Sequence, residues 1–359
     1  MKIKFNVDTI KPMSSWLLKS KKENIRDEKA LREILKMKDY QVEFARYSQE
    51  GLPVCGISFE EAVDFFLNFD KKSFDNPRLE YKKESFIAFY NDIENRLKKI
   101  DQFTSIDEND YKIINMLLSN GLPSSITNDI EELNIILIIS IGNSMGWPYL
   151  NYVDYDVSNL NLLENKLDFL HVTAHEINHI FVGQLLGKEG IAPEDFFLQN
   201  FAYEGLAVHF NNNLTTLYKS KKYDDITYSM DEDDMSFYEK NFDKIFAMIK
   251  EDYNTSKGLT LDEVAELVSS HYEIFEFMGK KVKQYPTYYF GCYMFGLVDL
   301  KYGKDKLYEA IDNPSLFVKL YNEVAEERYR FKKNIFTFIL YELFINKTID
   351  ETFLLPFCS

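Results

Sequence analysis

The chain has 359 residues and a mass of 42.4 kDa, which is enough for two or three structural units or for one large enzyme fold. Asp and Glu together number 58 and Lys and Arg 42, and the resulting net charge of −16 argues against nucleic acid or an anionic membrane surface as a partner. With 45% hydrophobic residues but only 14 Gly and 9 Pro, the composition is that of a globular chain and excludes collagen-like or disordered structure.

The amino-terminal residues, the apolar runs and the cysteines bear on the compartment. Residues 1–8 contain no apolar stretch of the kind found in secretory signals. The longest apolar run, residues 135–141, is too short to span a membrane. Cys55, Cys292 and Cys358 lie far apart, which indicates neither a disulfide framework nor a thiolate metal site. We therefore expect a reduced, cytoplasmic protein without membrane association.

Residues 1–125 are predicted to be mostly helical, and they contain no recognisable chemical motif. Ser58 and Glu61 have the spacing of a capping box at the start of a helix. A second helix is predicted for residues 84–100, where apolar side chains recur at helical spacing. Residues 121–125 contain Gly and Pro and indicate a boundary.

A small sheet and two long helices are predicted next. Residues 134–141 are β-branched and apolar, which favours a strand, and residues 147–157 alternate aromatic and polar side chains, which favours a second, more exposed strand. One long helix is predicted for residues 161–186, with Asn161 as its N-cap and Gly187 as its end. The other is predicted for residues 197–217.

The rest of the chain completes a division into three regions. The polar, acidic residues 218–236 are expected to form a solvated loop, and helices rich in Phe and Tyr are expected after them. The predicted fold class is α+β, mostly helical. It comprises an N-terminal helical region (1–125), a central region (126–217) that contains the sheet, and a C-terminal helical region (218–359).

Three of the five histidines lie within nine residues, in the segment His171-Val-Thr-Ala-His175-Glu176-Ile-Asn-His179. His175 and His179 are one helical turn apart, so both imidazoles can bind one ion at distances of about 2.0–2.1 Å. Glu176 lies on the same side of the helix and can reach a metal-bound water without binding the ion. This is the HExxH pattern, in which two ligands and a general base share one turn.

The alternative to a metal site is a buried polar patch on a core helix. The other face of the helix carries Ile177, Ile180 and Phe181, so the helix is expected to be internal. Burying three imidazoles and a carboxylate without partners is unfavourable by several kcal/mol, and a metal ion supplies those partners. We therefore expect a metal site with Zn²⁺ as the cofactor. His209 is expected to be structural, and His271 to be an ordinary surface or core residue.

A zinc ion in a hydrolase needs a third protein ligand and one open position for water. Glu204, which follows His179 by 25 residues, is the best candidate, because an antiparallel helix can bring its carboxylate to the same ion. Glu194 and Asp195, in the predicted intervening loop, are alternatives. His171 is another alternative, although its place one turn earlier better suits a contact with the ligands or with substrate.

An HExxH motif followed by a helix with the sequence Glu-Gly-x-Ala resembles the gluzincin metallopeptidases, the group that contains thermolysin and the aminopeptidase N family. The resemblance covers roughly residues 130–310 and implies a gluzincin-like metalloprotease core with a small β-sheet beside the HExxH helix. It implies that His175, His179 and Glu204 bind zinc. It also implies that Glu176 is the catalytic base.

The segment at residues 286–294 resembles the Tyr-x-x-Gly segment of zinc-dependent proteases related to the gluzincins. In several gluzincins a tyrosine donates a hydrogen bond to the oxyanion, and the resemblance gives this role to Tyr288, with Tyr289 as the second choice. Both could instead be ordinary aromatic residues in a chain with 24 tyrosines. Val208 departs from the thermolysin pattern, which has an acidic residue there, so the group that orients the imidazoles is not predicted.

Together these residues predict a zinc-dependent peptidase in which Glu176 assists the attack of a metal-bound water on a peptide bond. The expected partner is a peptide or protein substrate, which can pair with the strand at residues 135–141 or with the one near residues 147–153. A binding protein with a structural metal and a metal-dependent hydrolase of non-peptide substrates are the alternatives. Cleavage specificity and oligomeric state are not predicted.

Overall fold

The computed structural model describes residues 2–331 except 49–55, 128–129, 143–145, 159–165, 187–189, 213–231, 274–275, 278–279 and 283–284. Most of this part of the chain is helical, and a small four-stranded sheet lies within it, so the predicted α+β, mostly helical fold class is confirmed. The predicted N-cap Asn161 and helix end Gly187 lie outside the described residues. None of the helices in the described part combines the length and the apolar character that a membrane span needs.

The elements are numbered in chain order. Those before the long central helices are β1 (Lys2–Asn6), α1 (Ile10–Glu23), α2 (Glu28–Leu35), α3 (Lys38–Tyr47), α4 (Phe59–Asn68), α5 (Pro77–Asn91), α6 (Ile93–Thr104), α7 (Glu108–Gly121), α8 (Ser124–Thr127), β2 (Glu132–Ile138), β3 (Gly146–Tyr149) and β4 (Tyr152–Asp156). Those that follow are α9 (Lys166–Leu185), α10 (Pro193–Asn211), α11 (Glu232–Lys240), α12 (Phe242–Ser256), α13 (Leu261–Val268), a π-helix (Ser269–Glu273), β5 (Glu276–Phe277), β6 (Lys280–Lys281), α14 (Pro286–Tyr302), α15 (Lys304–Asp312), α16 (Pro314–Val324) and a 3₁₀-helix (Glu327–Tyr329).

The central sheet has the strand order β1-β2-β4-β3. β1 and β4 are both parallel to β2, whereas β3 is antiparallel to β4. All but the first residue of β2 is buried, which agrees with its continuous apolar sequence and its place between two strands. β3 is an edge strand of this sheet, a position that tolerates Pro148, which has no backbone N–H.

The single exposed strand predicted for residues 147–157 is wrong. The chain reverses at Leu150, which has a left-handed backbone conformation with φ of 53°, and the segment therefore forms the two strands β3 and β4. Trp147 and Tyr155 are buried rather than exposed. The hairpin leaves β3 as the strand that ends the sheet.

Three helix predictions also differ from the structure. The helix predicted for residues 84–100 is split between α5 and α6, because Asp92 departs from helical geometry with φ −113° and ψ 25°. The acidic run expected as loop forms the first turn of α11 from Glu232, a place where negative charge is favourable. α10 begins at Pro193, which is favourable in the first turn, so Glu194 and Asp195 are helical. The capping box of Ser58 and Glu61 is confirmed.

The sheet packs between α9 and two helices of the N-terminal region. On one face the ring of Tyr155 lies 5.2 Å from that of Phe169 in α9. On the other face α3 and α5 contribute Glu43 and Lys82, both fully buried. β1 belongs to the predicted N-terminal region but pairs with β2 of the predicted central region. The division of the chain into three regions stays a prediction.

The long helices α9, α10 and α14 form the other half of the structure. α10 lies against both α9 and α14. The backbones of α10 and α14 touch at Gly205 and Gly291, where a Cβ atom on either glycine would overlap the main chain of the opposite helix. Only glycine allows this approach, so no side chain separates the two helices at the crossing.

Candidate metal centre

The two motif histidines lie side by side on α9. This helix is buried on nearly all sides, and His175 and His179 are only 6% and 4% exposed. Their Nε2 atoms are 3.1 Å apart, and the two rings are perpendicular. The one-turn spacing of the two histidines therefore places both Nε2 atoms where a single ion could bind to them.

Glu204 reaches the same point from α10. Its Oε2 atom is 3.5 Å from Nε2 of His175 and 3.4 Å from Nε2 of His179, which is long for a hydrogen bond. Oε2 is buried and has no hydrogen-bond partner among the described residues. Two ligands of a tetrahedral zinc ion at about 2.0–2.1 Å are themselves separated by about 3.3 Å. The three donor atoms thus have the chemistry and the spacing of a zinc site that a cation would complete.

The surroundings of Glu204 favour its ionised form, which is the form that binds a metal ion. Burial raises the pKa of the Glu204 carboxyl, but His179 and His175 together lower it below its ordinary value, so Glu204 is ionised. Burial raises the pKa of Glu176, and the two histidines offset this only in part. A carboxyl that binds a proton more readily than usual is chemically suited to accept one from water.

Two residues that the sequence did not indicate position the imidazoles. Nδ1 of His175 is 2.8 Å from Oδ1 of Asn212, at the end of α10, an arrangement that leaves Nε2 free to bind a cation. The ring of Tyr203 stacks on that of His179, with centroids 4.0 Å apart. Asn212 lies one turn beyond Val208, which is buried and apolar, and so fills the role left open by the departure from the thermolysin pattern.

Replacing Asn212 with alanine is expected to weaken zinc binding about 10–100-fold, because the His175 ring loses the acceptor that fixes its orientation. Competition with a chromophoric chelator measures this affinity. Asn212→Asp keeps an acceptor oxygen and should bind zinc at least as well as the unaltered chain. Equal weakening in both variants would contradict the orienting role.

Tyr288 and Tyr289, the two candidates for the oxyanion donor, lie in different surroundings. Tyr288 is partly exposed in the first turn of α14, and its ring stacks beside His175 with centroids 6.2 Å apart. Tyr289 is 1% exposed and packs against Tyr238 and Phe242 in an aromatic cluster. Of the two, the geometry brings Tyr288 to the metal centre.

Glu176 faces the edge strand. A Cβ atom on Gly146 would lie 3.3 Å from Cγ of Glu176 and would overlap the ring of Tyr155. Glycine at this position therefore lets β3 pass close to the partly exposed Glu176 side chain. The motif glutamate therefore lies close to β3, which is the last strand of the sheet in the described part of the chain.

The other predicted candidates lie outside the three-atom cluster. His171 is buried on α9 and bonds through Nδ1 to the backbone carbonyl of Asn211. Glu194 and Asp195 are in the first turn of α10, roughly 14 Å from Glu204 along the helix axis.

The two remaining histidines form hydrogen bonds with carboxylates elsewhere. His209 pairs with Asp299 at 2.8 Å and so joins α10 to α14. His271 pairs with Asp252 at 3.0 Å.

A cavity of about 500 Å³ opens next to the metal centre. Glu204 and Tyr203 form one wall. The other walls combine apolar side chains with side-chain amides and a hydroxyl, including Leu186, Phe196, Val268, Gln199, Asn200 and Thr287. No Lys or Arg is among the described residues that line it. The cavity therefore suits an uncharged group of the size of a large side chain.

Comparison with known proteins agrees with this geometry. Searches of the curated proteins and of the solved structures found no match to this chain. A family model described as "Putative zinc dependent peptidase (DUF5700)" matches residues 31–329, which include the whole metal centre. Because the match covers most of its 359 residues, the chain belongs to the family that this model describes.

Proposed function

We propose that the protein is a gluzincin-type zinc peptidase in which His175, His179 and Glu204 hold Zn²⁺. The observation that carries the proposal is the meeting of these three buried donor atoms, with Glu204 Oε2 unpartnered, beside the carboxylate of Glu176. A metal with a purely structural role needs neither a second carboxyl nor a cavity beside it, so Glu176 and the adjoining cavity support a catalytic role. The family description supports the same reaction class.

The protein's own residues divide the work of hydrolysis. Zinc, when bound, acidifies a water molecule and polarises the carbonyl of the scissile bond. Glu176 accepts the proton as the water attacks and delivers it to the leaving amine. The hydroxyl of Tyr288 donates a hydrogen bond to the oxygen on which negative charge develops. Asn212 keeps His175 in the tautomer whose Nε2 carries the lone pair.

The edge of β3 provides a binding surface for the substrate backbone. An extended peptide can join the sheet there as a further strand and pass in front of Glu176. β2, the other strand considered from the sequence, is already paired on both sides and offers no free edge. The neighbouring cavity accepts an uncharged side chain of the same peptide. The proposed partner is thus a peptide or protein, while the cytoplasmic location and the absence of nucleic-acid and membrane partners stay predictions.

Metal analysis combined with peptide hydrolysis tests the proposal. The purified protein should contain one zinc ion per chain, hydrolyse members of a mixed peptide library, lose activity with a chelator and regain it with zinc. Glu204→Ala should lose the zinc, whereas Glu194→Ala on the same helix should keep it. Bound zinc without hydrolysis of any peptide would favour a structural metal, and activity that survives complete zinc removal would overturn the mechanism.

A further inference from the structure

Arg46, in the last turn of α3, lies beside β3 and has no ion-pair partner in the part of the chain that the structure describes. Its guanidinium carbon lies 4.3 Å from the ring centroid of Trp147 in β3 and 5.3 Å from that of Tyr47. It forms no ion pair with any described residue, and its Nη1 atom is buried without a hydrogen-bond partner among them. Leaving such a donor unpaired is unfavourable, so the group suits a ligand that brings its own acceptor.

The surroundings of Arg46 are rich in unused donors. Nε1 of Trp147, Nε of Arg78 and the hydroxyl of Tyr47 are also buried without partners among the described residues. The guanidinium of Arg78 lies 4.9 Å from the Tyr47 ring, so two cations flank one aromatic side chain. A group that accepts several hydrogen bonds and carries negative charge would satisfy this cluster, as a carboxylate does.

The two acidic residues on this face, Asp154 and Glu43, form no ion pair with Arg46, although their charges raise its pKa. Asp154 is fully buried, and both of its carboxyl oxygens lack partners among the described residues. Burial raises the pKa of Asp154 well above its ordinary value, with Glu43 as the next cause. Glu43 itself accepts hydrogen bonds from Ser140 and from two backbone amides. Nη1 of Arg46 is therefore a donor that a ligand could pair with, because no carboxylate of the described residues does so.

The position of Arg46 relative to β3 links it to the proposed substrate path. Gly146 faces Glu176, and since side chains alternate along a strand, Trp147 and Arg46 lie toward the opposite face of the sheet. A peptide added to the β3 edge would direct alternate side chains toward the metal centre and toward Arg46.

We propose that Arg46 recognises a carboxylate of the substrate, so that the enzyme prefers peptides with an acidic group one or two residues from the cleaved bond. The proposal rests on the proposed peptidase function and deepens it. The carboxylate comes either from an Asp or Glu side chain or from the free carboxyl terminus of the peptide. Trp147 and Arg78 supply further donors to the same group.

Matched peptides test the proposal. A peptide with Glu near the cleaved bond and its Gln counterpart, both with amidated carboxyl termini, are compared by the ratio of their kcat/KM values, and each is repeated with a free terminus. A ratio cancels any general loss of activity in a variant. We expect the carboxylate to raise kcat/KM about tenfold or more. Arg46→Gln should bring the ratio close to one, and Arg46→Glu should favour a Lys peptide instead.

The control removes the same charge elsewhere. Arg96→Gln lies on α6, where Arg96 pairs with Asp92 at 3.6 Å, and should leave the Glu-to-Gln ratio unchanged. An effect of the free terminus alone would assign the carboxylate to the peptide end. A ratio near one in the unaltered enzyme for every carboxylate position, or an undiminished ratio in Arg46→Gln, would overturn the proposal.

A binding measurement separates this proposal from the proposed function. Calorimetric titration of the Glu176→Gln protein with the Glu and Gln peptides needs no turnover. Tighter binding of the Glu peptide that disappears in the Arg46→Gln, Glu176→Gln double variant supports the role of Arg46. If no peptide were hydrolysed, the peptidase assignment would be overturned. The titration would still decide whether Arg46 binds a carboxylate. Equal affinities for the two peptides would exclude it.

Discussion

Replacing Glu176 with glutamine is expected to lower kcat about 10²–10⁴-fold while leaving zinc in place. The amide keeps the size of the side chain beside Gly146 but cannot accept a proton, and general base catalysis contributes about 10²–10⁴-fold. The proposed zinc ligands His175, His179 and Glu204 are untouched. Steady-state hydrolysis of a peptide substrate and zinc content by mass spectrometry are the two measurements.

The matched control for this change is Glu94→Gln. Glu94 is exposed on α6, far along the chain from the metal centre, and its replacement should leave both turnover and zinc content as they were. Undiminished turnover in Glu176→Gln would end the assignment of the base. Loss of zinc from this variant would instead place Glu176 among the ligands.

The largest expected effect on stability is that of Lys82→Ala. Lys82 and Asp156 form an ion pair with both side chains fully buried, and Lys82 also donates to Ser158 Oγ at 2.9 Å. Removing the lysine leaves the carboxylate of Asp156 buried without its counter-ion, a change that destabilises proteins by about 3–5 kcal/mol. Denaturant unfolding followed by circular dichroism should show the loss as a lower midpoint.

Lys83→Ala on the same helix is the control. Lys83 makes a 3.4 Å ion pair with Glu80 at the surface, and removing it should change the free energy of unfolding by less than about 1 kcal/mol. The double change Lys82→Met, Asp156→Asn removes both charges and should recover much of the stability lost in Lys82→Ala. A double variant that is less stable than Lys82→Ala would contradict the counter-ion explanation.

Features that depend on local sequence were predictable. The side-by-side placement of His175 and His179 follows from one helical turn, and the strand β2 follows from its apolar run. The position of Glu204 near the histidines was predictable as well, because α10 is the next helix after α9 and packs against it. In each case the relevant contact lies within one element or between neighbours in the chain.

The residues that the sequence did not reveal depend on the reversal and packing of distant segments. Arg46 and Trp147 are separated by about a hundred positions and meet only because α3 packs on the sheet. The hairpin of β3 and β4 depends on Leu150, a residue type that rarely adopts a left-handed conformation and so gives no turn signal. Asn212 ends a helix, and the polar run at residues 211–213 was its only visible sign.

The close contact of α10 and α14 at their glycines limits how the surroundings of the candidate metal centre can vary among related proteins. Gly205 directly follows Glu204, and Gly291 comes less than one turn after Tyr288, so the proposed zinc ligand and the tyrosine both lie next to the point where the two backbones touch. A substitution that moves one helix at this contact should therefore displace both Glu204 and Tyr288. We therefore expect differences in substrate preference among related proteins to arise along β3 and α3, where the contacts are made by side chains rather than by main chains.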